Sequence, residues 1–351
     1  MAPERVMRCR DTRPVTCPAV SIVVPAYNAE RTLGECLAAL ERQSPPELAR
    51  EIIVVDDGSS DRTPEVAARY PLVVLVRQAN QGPAAARNAG AKRAAGEVLL
   101  FTDADCVPTP DWVAEMTAPL TDPAVVAVKG AYRTRQAALV ARFAQIEFEE
   151  RYARLALRPT TDFVDSYSAA IRTGAFWEAG GFDPAFPDPN NEDVDLSYRL
   201  ARTGRPMVFN PRAIVYHQHP ATLGRYLRTK FWRGYWRTIV YRRFPEKAMV
   251  DSYTPQLLKL QVLLVFGLVG GLALAPLVPG LALMAWGSGL GFLAAAGPFA
   301  VRAWRADAAL GALAPLLLAM RAGALGLGVM WALMGGMWRF PPQAPAGRTA
   351  P

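Results

Sequence analysis

Residues 260–301 contain no Asp, Glu, Lys or Arg. A helix needs roughly 20 apolar residues to cross a bilayer core. The run therefore excludes a wholly soluble protein and has room for two crossings. Leu257–Leu277 reads as the first span, Pro276–Gly280 as a turn and Leu281–Val301 as the second. Arg302, Arg305 and Asp307 then form a charged connector. The apolar stretch Ala308–Trp338 that follows is broken by Arg321. The expected form is a surface-lying lead-in, with Arg321 snorkelling to the interface, and a third span over 322–338. A crossing by Ala308–Met320 as well would make four. The first connector has no Lys or Arg and the second has two. By the positive-inside rule, the second connector and the chain before residue 257 are expected in the cytoplasm, on a multi-pass protein of the cell (inner) membrane.

The whole chain carries a net +8. Beyond residue 256 there are six basic residues and one acidic one, which leaves only +3 on the first 256. That balance argues against nucleic acid as the partner. Residues 1–18 are charged and Pro-bearing, without the apolar core of a signal peptide, and are expected to be an N-terminal tail. Cys9, Cys17, Cys36 and Cys106 show neither CxxC nor metal-ligand spacing and are expected as free thiols.

Val20–Val24, Glu51–Val55, Leu72–Val76 and Val98–Phe101 are short apolar runs without polar alternation. Helical stretches over 31–43, 63–70 and 83–95 separate them. Such strands, joined by helices, imply a parallel sheet buried on both faces. In an open α/β sheet of this kind, ligands are expected at the carboxyl ends of the strands.

Each of those ends carries candidate chemistry. Asp103-Ala104-Asp105 follows the fourth run. Two carboxylates two residues apart can share one hard cation and leave positions open for phosphate oxygens. Asp56-Asp57-Gly58-Ser59 ends the second run. It can accept hydrogen bonds from a base or ribose, although a plain turn uses the same residues. Pro25-Ala26-Tyr27-Asn28 ends the first, with a ring for stacking and an amide. The glycines that a dinucleotide site needs at this turn are absent, which disfavours a nicotinamide enzyme. In Asn80 through Gly90, Gly82 precedes Pro83 and Arg87 falls in the first turns of a helix, whose N-terminus suits anions. An arginine there would complement a diphosphate.

The second half is less regular. Gln136–Leu157 reads as a long helix, 162–191 as a loop-rich segment, 192–203 as a helix and Ala213–Tyr216 as a short strand. Gly180-Gly181-Phe182-Asp183 permits a close approach to a ligand. Glu192 and Asp193 open a helix, where carboxylates also suit the dipole. His217 and His219, the chain's two histidines, read either as metal ligands or as packed core groups. Over 221–250, Arg225, Arg228, Lys230, Arg233 and Arg237 interleave with Tyr226, Phe231, Trp232, Tyr235 and Trp236. The expected form is an interfacial helix with aromatics at headgroup depth and cations on anionic lipid. A solvated helix with packed aromatics is the alternative.

Taken in order, Ser21–Asn28, Asp56–Ser59, Gly82–Gly90, Asp103–Asp105, Gly180–Asp183 and Glu192-Asp193 resemble the motifs of the family 2 glycosyltransferases. Each is weak alone; six in one order are specific. The resemblance covers about residues 19–220. It implies a GT-A fold, a Rossmann-like, mostly parallel α/β sheet flanked by helices, with 19–106 as the nucleotide-binding half and 107–220 as the acceptor half. The interfacial helix and a small α-helical transmembrane domain over 257–338 would follow. By that resemblance Pro25, Ala26, Tyr27, Asn28, Asp56 and Asp57 would hold base and ribose, and Gly82 and Arg87 would lie near the diphosphate. Asp103, Ala104 and Asp105 would meet the ribose and a divalent cation, Mn2+ or Mg2+, with His217 ahead of His219 completing its shell. Gly181, Phe182 and Asp183 would shape the acceptor site, and Asp193, beside Glu192, would be the general base.

One base and no evident nucleophile imply a single displacement with inversion. The expected activity is transfer of one sugar from a nucleotide-diphosphate sugar, UDP ahead of GDP, to a lipid-linked or membrane-proximal acceptor. Processive synthases of this superfamily carry a Gln-x-x-Arg-Trp motif, which the nearest text here, Lys230 through Arg237, does not match. Two other readings stand beside this one. A sugar nucleotidyltransferase would want a Gly-rich basic loop in place of Pro25–Asn28. A non-catalytic membrane scaffold would have no use for intact Asp103, Asp105 and Asp193.

Overall fold

The computed structural model describes residues 20–44, 50–186, 190–252 and 254–334. The expected tail, with Cys9 and Cys17, and the end of the expected third span lie outside the described residues. The described residues divide into two compact units, one formed within 20–135 and 152–218, the other within 136–151 and 219–334.

The first unit begins β1 (Val20–Ala26), α1 (Leu33–Glu41), β2 (Arg50–Asp57), α2 (Thr63–Ala67), β3 (Val73–Gln78), α3 (Pro83–Arg93) and β4 (Val98–Phe101). It continues through β5 (Val107–Pro108), α4 (Trp112–Thr117), β6 (Ala127–Arg133), the end of α5 (Leu139–Leu155), β7 (Ala169–Arg172), α6 (Thr173–Glu178), α7 (Glu192–Ala201) and β8 (Met207–Tyr216). These strands make one sheet in the order β3-β2-β1-β4-β7-β6-β8-β5. Three of the four apolar runs behave as their pattern predicts, while the third, β3, is parallel but only partly buried at the sheet edge. β1 pairs parallel with β2 and β4, and β2 parallel with β3. Ile22, Val24, Ile53, Val55, Leu99 and Phe101 are fully buried, so both faces of the central strands are covered. α3 lies close on this sheet because a Cβ at Gly90 would overlap the Val23 side chain.

Beyond β4 the sheet turns mixed. β7 runs antiparallel to both β4 and β6, β6 runs parallel to β8, and β5 pairs antiparallel with β8. The sequence pattern does not reveal β6 or β7, and it marks only the last four of β8's ten residues. β6 contains Lys129 and Gly130, residues that usually interrupt a strand pattern. The fold accommodates both. Lys129 is fully buried against Asp165, its ammonium 5.0 Å from the centre of the Phe163 ring. Gly130 sits where a Cβ would overlap Ser168 and the Ala213 carbonyl.

The second unit is helical. The first part of α5 belongs to it, with α8 (Leu223–Arg243), α9 (Pro245–Met249), α10 (Gln256–Leu274), α11 (Gly280–Ala306) and α12 (Ala308–Leu333). α10, α11 and α12 are long and apolar enough to cross a membrane. Two expectations are corrected here. α12 is one continuous helix through Arg321, so there is no separate lead-in, and the described residues give three candidate crossings rather than four. Arg321 does not snorkel either. It is buried, donating from Nη1 to Glu147 Oε1 at 2.6 Å and from Nη2 to Gln261 Oε1 at 2.5 Å. The other Glu147 oxygen accepts from Lys230 Nζ at 2.7 Å. A buried cation needs a partner, and here α5 supplies it.

α8 is also corrected in part. Tyr226, Tyr235 and Trp236 are buried inside this unit rather than displayed, while Trp232 stays exposed. A Cβ at Gly234 would overlap the Leu325 carbonyl, and one at Gly328 the Phe231 carbonyl. The two glycines therefore let α8 and α12 meet backbone to backbone, as small residues do at tight helix crossings.

Candidate active site

The ends of β1 and β2 are stitched together. Asn28 adopts a positive φ of 50°. Its backbone N–H donates to Ser59 Oγ at 2.9 Å, and its Oδ1 accepts from the Ser60 N–H at 2.9 Å. Pro25 and Ala26 are the last residues of β1, and Tyr27 beyond them is 54% exposed, leaving its ring face open. Asp56 and Asp57 are both buried. Asp56 Oδ1 accepts from the Ser59 N–H at 3.0 Å, and its Oδ2 lies 3.3 Å from Arg77 Nε. Asp57 accepts from the backbone N–H groups of Gln81 and Gly82, both at 2.9 Å, and from Gln78 Nε2 at 2.7 Å. The acidic pair thus shapes the loop that leads into α3, where Gly82 takes a φ of 87°.

Arg87, on α3, is buried and joins two distant motifs. Its Nη2 donates to Asp103 Oδ1 and its Nη1 to Glu192 Oε1, each at 2.8 Å. Burial opposes its charge, but the Asp103 and Glu192 carboxylates outweigh that and keep it protonated. Arg87 was expected beside a diphosphate; both its arms meet protein carboxylates, one of them Asp103 of the expected donor site. Glu192 is buried in the first turn of α7. Burial, then the neighbouring Asp193 carboxylate, push its carboxyl up to about 7 against the pull of Arg87. Asp193 is partly exposed, and its Oδ1 accepts from the Val194 N–H at 2.8 Å.

The Gly181–Asp183 turn docks onto the same helix. Asn88 Nδ2 donates to the Phe182 carbonyl at 2.7 Å, and Asn88 Oδ1 accepts from the Phe182 N–H at 2.9 Å. Gly181 has a φ of 66°, and a Cβ there would come within 2.8 Å of Asn88 Oδ1. Phe182 was expected, with its neighbours, to shape an acceptor site; its ring is buried edge-on against Phe101, with the Arg87 guanidinium 5.5 Å from its centre. Asp183 closes the turn by accepting from the Ala185 N–H at 2.9 Å.

Asp103, Ala104 and Asp105 occupy the turn between β4 and β5, with Ala104 buried and both carboxylates partly exposed. β5 pairs with β8 so that Val107 faces Tyr216. That register brings the next position of each strand, Cys106 and His217, side by side. His217 Nε2 lies 3.5 Å from Asp105 Oδ2. One ligand atom each from Asp105, Cys106 and His217 lies within 4.8 Å of the others. The Tyr132 ring is centred 5.2 Å from the His217 ring. His219 turns to other partners, its Nε2 3.0 Å from Gln145 Oε1 and its ring stacked on Phe148. Of the two histidines, His217 is therefore the one in the carboxylate cluster.

Sequence reasoning assigned no role to Asn88, Cys106 or the layer behind His217. In that layer, Tyr167 donates to Asp165 Oδ2 at 2.7 Å, and Asp165 pairs with Lys129. Asn88 lay inside a quoted motif, but its partner is 94 residues away and leaves no local signal.

Residues 21–180 match Glycosyl transferase family 2, and the chain carries a glycosyltransferase domain of that family. Pre-mycofactocin glycosyltransferase of Mycobacterium tuberculosis is 29% identical over 290 residues, covering 78% of this chain and 54% of the relative. The probable glycosyltransferase YdaM of Bacillus subtilis is 30% identical over 63% of this chain and 53% of its own length. The chain spans about half the length of these curated relatives. Among solved structures, mannosyltransferase PcManGT from Pyrobaculum calidifontis, in complex with GDP-Man and Mn2+, superposes with a TM-score of 0.59 at 23% identity. The match covers 90% of this chain and 87% of that one and supports the GT-A-like fold.

Proposed function

We propose that the chain moves one sugar from a nucleotide-diphosphate sugar to a hydroxyl of a lipid-linked or membrane-proximal acceptor, with inversion at the anomeric carbon. The observation that carries this reading is the Arg87 bridge, which ties Asp103 after β4 to Glu192 beside Asp193. A donor-side carboxylate and the residue next to the candidate base are thereby held on one guanidinium. The exposed Tyr27 ring would stack on the base, and the Asp56–Asp57 loop would present backbone groups to the ribose. Asp103, Asp105 and His217 would hold a divalent cation; oxygen and imidazole donors fit one, and Asp105 and His217 belong to a group whose ligand atoms lie within 4.8 Å of one another. When bound, such an ion offsets charge on the departing diphosphate. The Mn2+ in the Pyrobaculum calidifontis structure of similar fold supports that assignment.

In this reading Asp193 takes the acceptor's hydroxyl proton as the new oxygen–carbon bond forms. The bond from the anomeric carbon to the diphosphate oxygen breaks, and its electron pair leaves with the diphosphate. α10 to α12 would anchor the protein in a membrane, with the basic connector Arg302–Asp307 and the catalytic domain on the cytoplasmic side.

The test supplies the full chain, in lipid nanodiscs with Mn2+ and a membrane lipid extract, with UDP- and GDP-sugars in turn. Release of nucleoside diphosphate together with a product of inverted configuration by NMR is the expected result. Pyrophosphate release or a retained configuration would overturn the reading. A pH dependence follows from Glu192. Its raised value, about 7, means that the carboxylate and its charged bridge to Arg87 are complete only above that pH. Turnover should therefore fall as pH drops through about 7. In Glu192→Gln that acid limb should disappear from the initial-rate profile while rates stay lower throughout.

A further inference from the structure

α12 is long and apolar enough to cross a bilayer, but the helices packed along it are not. Resting on the membrane placement above, though not on the transfer chemistry, we propose that α12 does not cross. It lies along the headgroup boundary on the side of the Arg302–Asp307 connector, with one apolar face in the lipid. Of the three apolar helices, α10 and α11 alone enter the hydrocarbon core, as a hairpin.

Charged side chains of α5 and α8 reach α12 at its start, middle and end. Asp307, which caps the helix, pairs with Arg142 of α5. Arg321, at the middle, donates to Glu147 of α5, which also accepts from Lys230 of α8. The Ala332 carbonyl, one residue before the end, accepts from Arg242 Nη2 of α8 at 3.3 Å. Between these points Leu310, Ala314 and Leu317 pack in one cluster with Phe143, Ile146 and Tyr226. Gly234 and Gly328 bring the α8 and α12 backbones together further on. From Asp307 to Ala332 a helix rises about 38 Å, at about 1.5 Å per residue. That exceeds the roughly 30 Å of a hydrocarbon core. A crossing α12 would therefore carry α5 and α8 through the core beside it. Those helices expose Glu149, Arg225 and Arg228, and ionised groups at that depth are costly.

The opposite side of α12 is apolar along its whole length. Leu313, Leu316, Leu327, Trp331 and Met334 are exposed, and their spacing places them on one helical stripe. A helix held by charged neighbours on one face and apolar on the other is of the interfacial kind, whose apolar face sinks about 5–10 Å into the headgroup boundary. The α10–α11 hairpin differs. Its exposed residues include Leu263, Val269, Leu283 and Trp286, and residues 260–301 hold no charge. The charges at either end of α12 agree. Arg302 and Arg305 precede it, and the sequence past residue 334 holds Arg339 and Arg348 and no acid. A third crossing would part these two pairs of arginines. A lying α12 keeps all four on one side, as the positive-inside rule favours.

The test uses the full chain in proteoliposomes, with Cys9→Ser and Cys17→Ser and with the buried Cys36 and Cys106 kept. Nitroxide labels are placed singly on the exposed stripe of α12, at Leu313→Cys, Leu316→Cys, Leu327→Cys and Trp331→Cys. Leu257→Cys and Val269→Cys on α10 serve as references. Accessibility to oxygen against a nickel complex reads the depth of each label. The four α12 labels should share one shallow depth to within about 5 Å, one helical turn, while Val269→Cys lies deeper than Leu257→Cys. A depth that rises to the midplane and falls again between Leu313 and Trp331 would overturn the proposal. A second readout is sidedness in sealed membrane vesicles. An impermeant maleimide should reach Arg305→Cys and Met334→Cys from the same side, and labelling from opposite sides would overturn the proposal as well. References on α10 that show no lipid exposure would sink the membrane placement and this proposal together. A deep Val269→Cys with a crossing profile on α12 would sink this proposal alone. Donor turnover by the same preparation reads the transfer chemistry separately.

Discussion

Asp193→Asn is expected to lower kcat by about 10²–10⁴-fold, the range typical of losing a positioned general base, with little change in donor affinity. The expectation follows from placement. Asp193 is the second residue of α7, directly after the buried Glu192, and follows Asn191, whose φ is 67°. An asparagine can keep the hydrogen bond that Oδ1 accepts from the Val194 N–H, so the helix start is preserved. What it loses is the ability to take a proton. Steady-state kinetics beside calorimetric donor binding would check the split. A fall in kcat of threefold or less, or a loss matched by weaker donor binding, would remove Asp193 from the role of base. Glu192 differs from its neighbour because its Oε1 is already committed to Arg87. Its replacement acts by loosening Asp103 and Arg87, so it should raise the donor KM as well as lower kcat.

That contrast shows where the sequence was informative. β1, β2 and β4 were legible because buried parallel strands write themselves as unbroken apolar runs. β6 was not, because Lys129 and Gly130 break the run, and what excuses them lies elsewhere in the chain, in Asp165 and Ser168. The site divides in the same way. Asp103 and Asp105 were legible as a local pair at a strand end. The partnership of Arg87 with Glu192 spans 105 residues, so no spacing rule announces it, and Arg87 was expected to face a phosphate. Cys106 carries no local signal, because no ligand spacing leads from it to His217. Its nearness to His217 is a property of the β5–β8 register. Phe182 was legible as part of a motif, but the packing of its ring in the core was not.

The helical unit carries the other large effect. Glu147→Leu should destabilise that unit by about 3–5 kcal/mol, the usual consequence of leaving a buried charge without its partner. Glu147 presents one oxygen to Arg321 and the other to Lys230, and all three side chains are buried. Gln261 extends the cluster, accepting from Arg321 and donating to the Ala295 carbonyl at 2.9 Å. One carboxylate therefore links α5, α8 and α12, and through Gln261 also α10 and α11. Burial alone would raise the Glu147 carboxyl, yet the two cations hold it down at about 2, so it stays ionised at any working pH. Removing it strands two cations, one of them on a helix long and apolar enough to cross a membrane. Thermal unfolding in detergent should show the loss in Glu147→Leu, and replacing all three at once, Glu147→Leu with Lys230→Met and Arg321→Met, should restore most of it. Recovery follows because an apolar cluster of similar volume carries no desolvation cost. A triple variant no more stable than the single one would mean that the ionic cluster contributes net stability of its own, rather than only costing stability when it is broken.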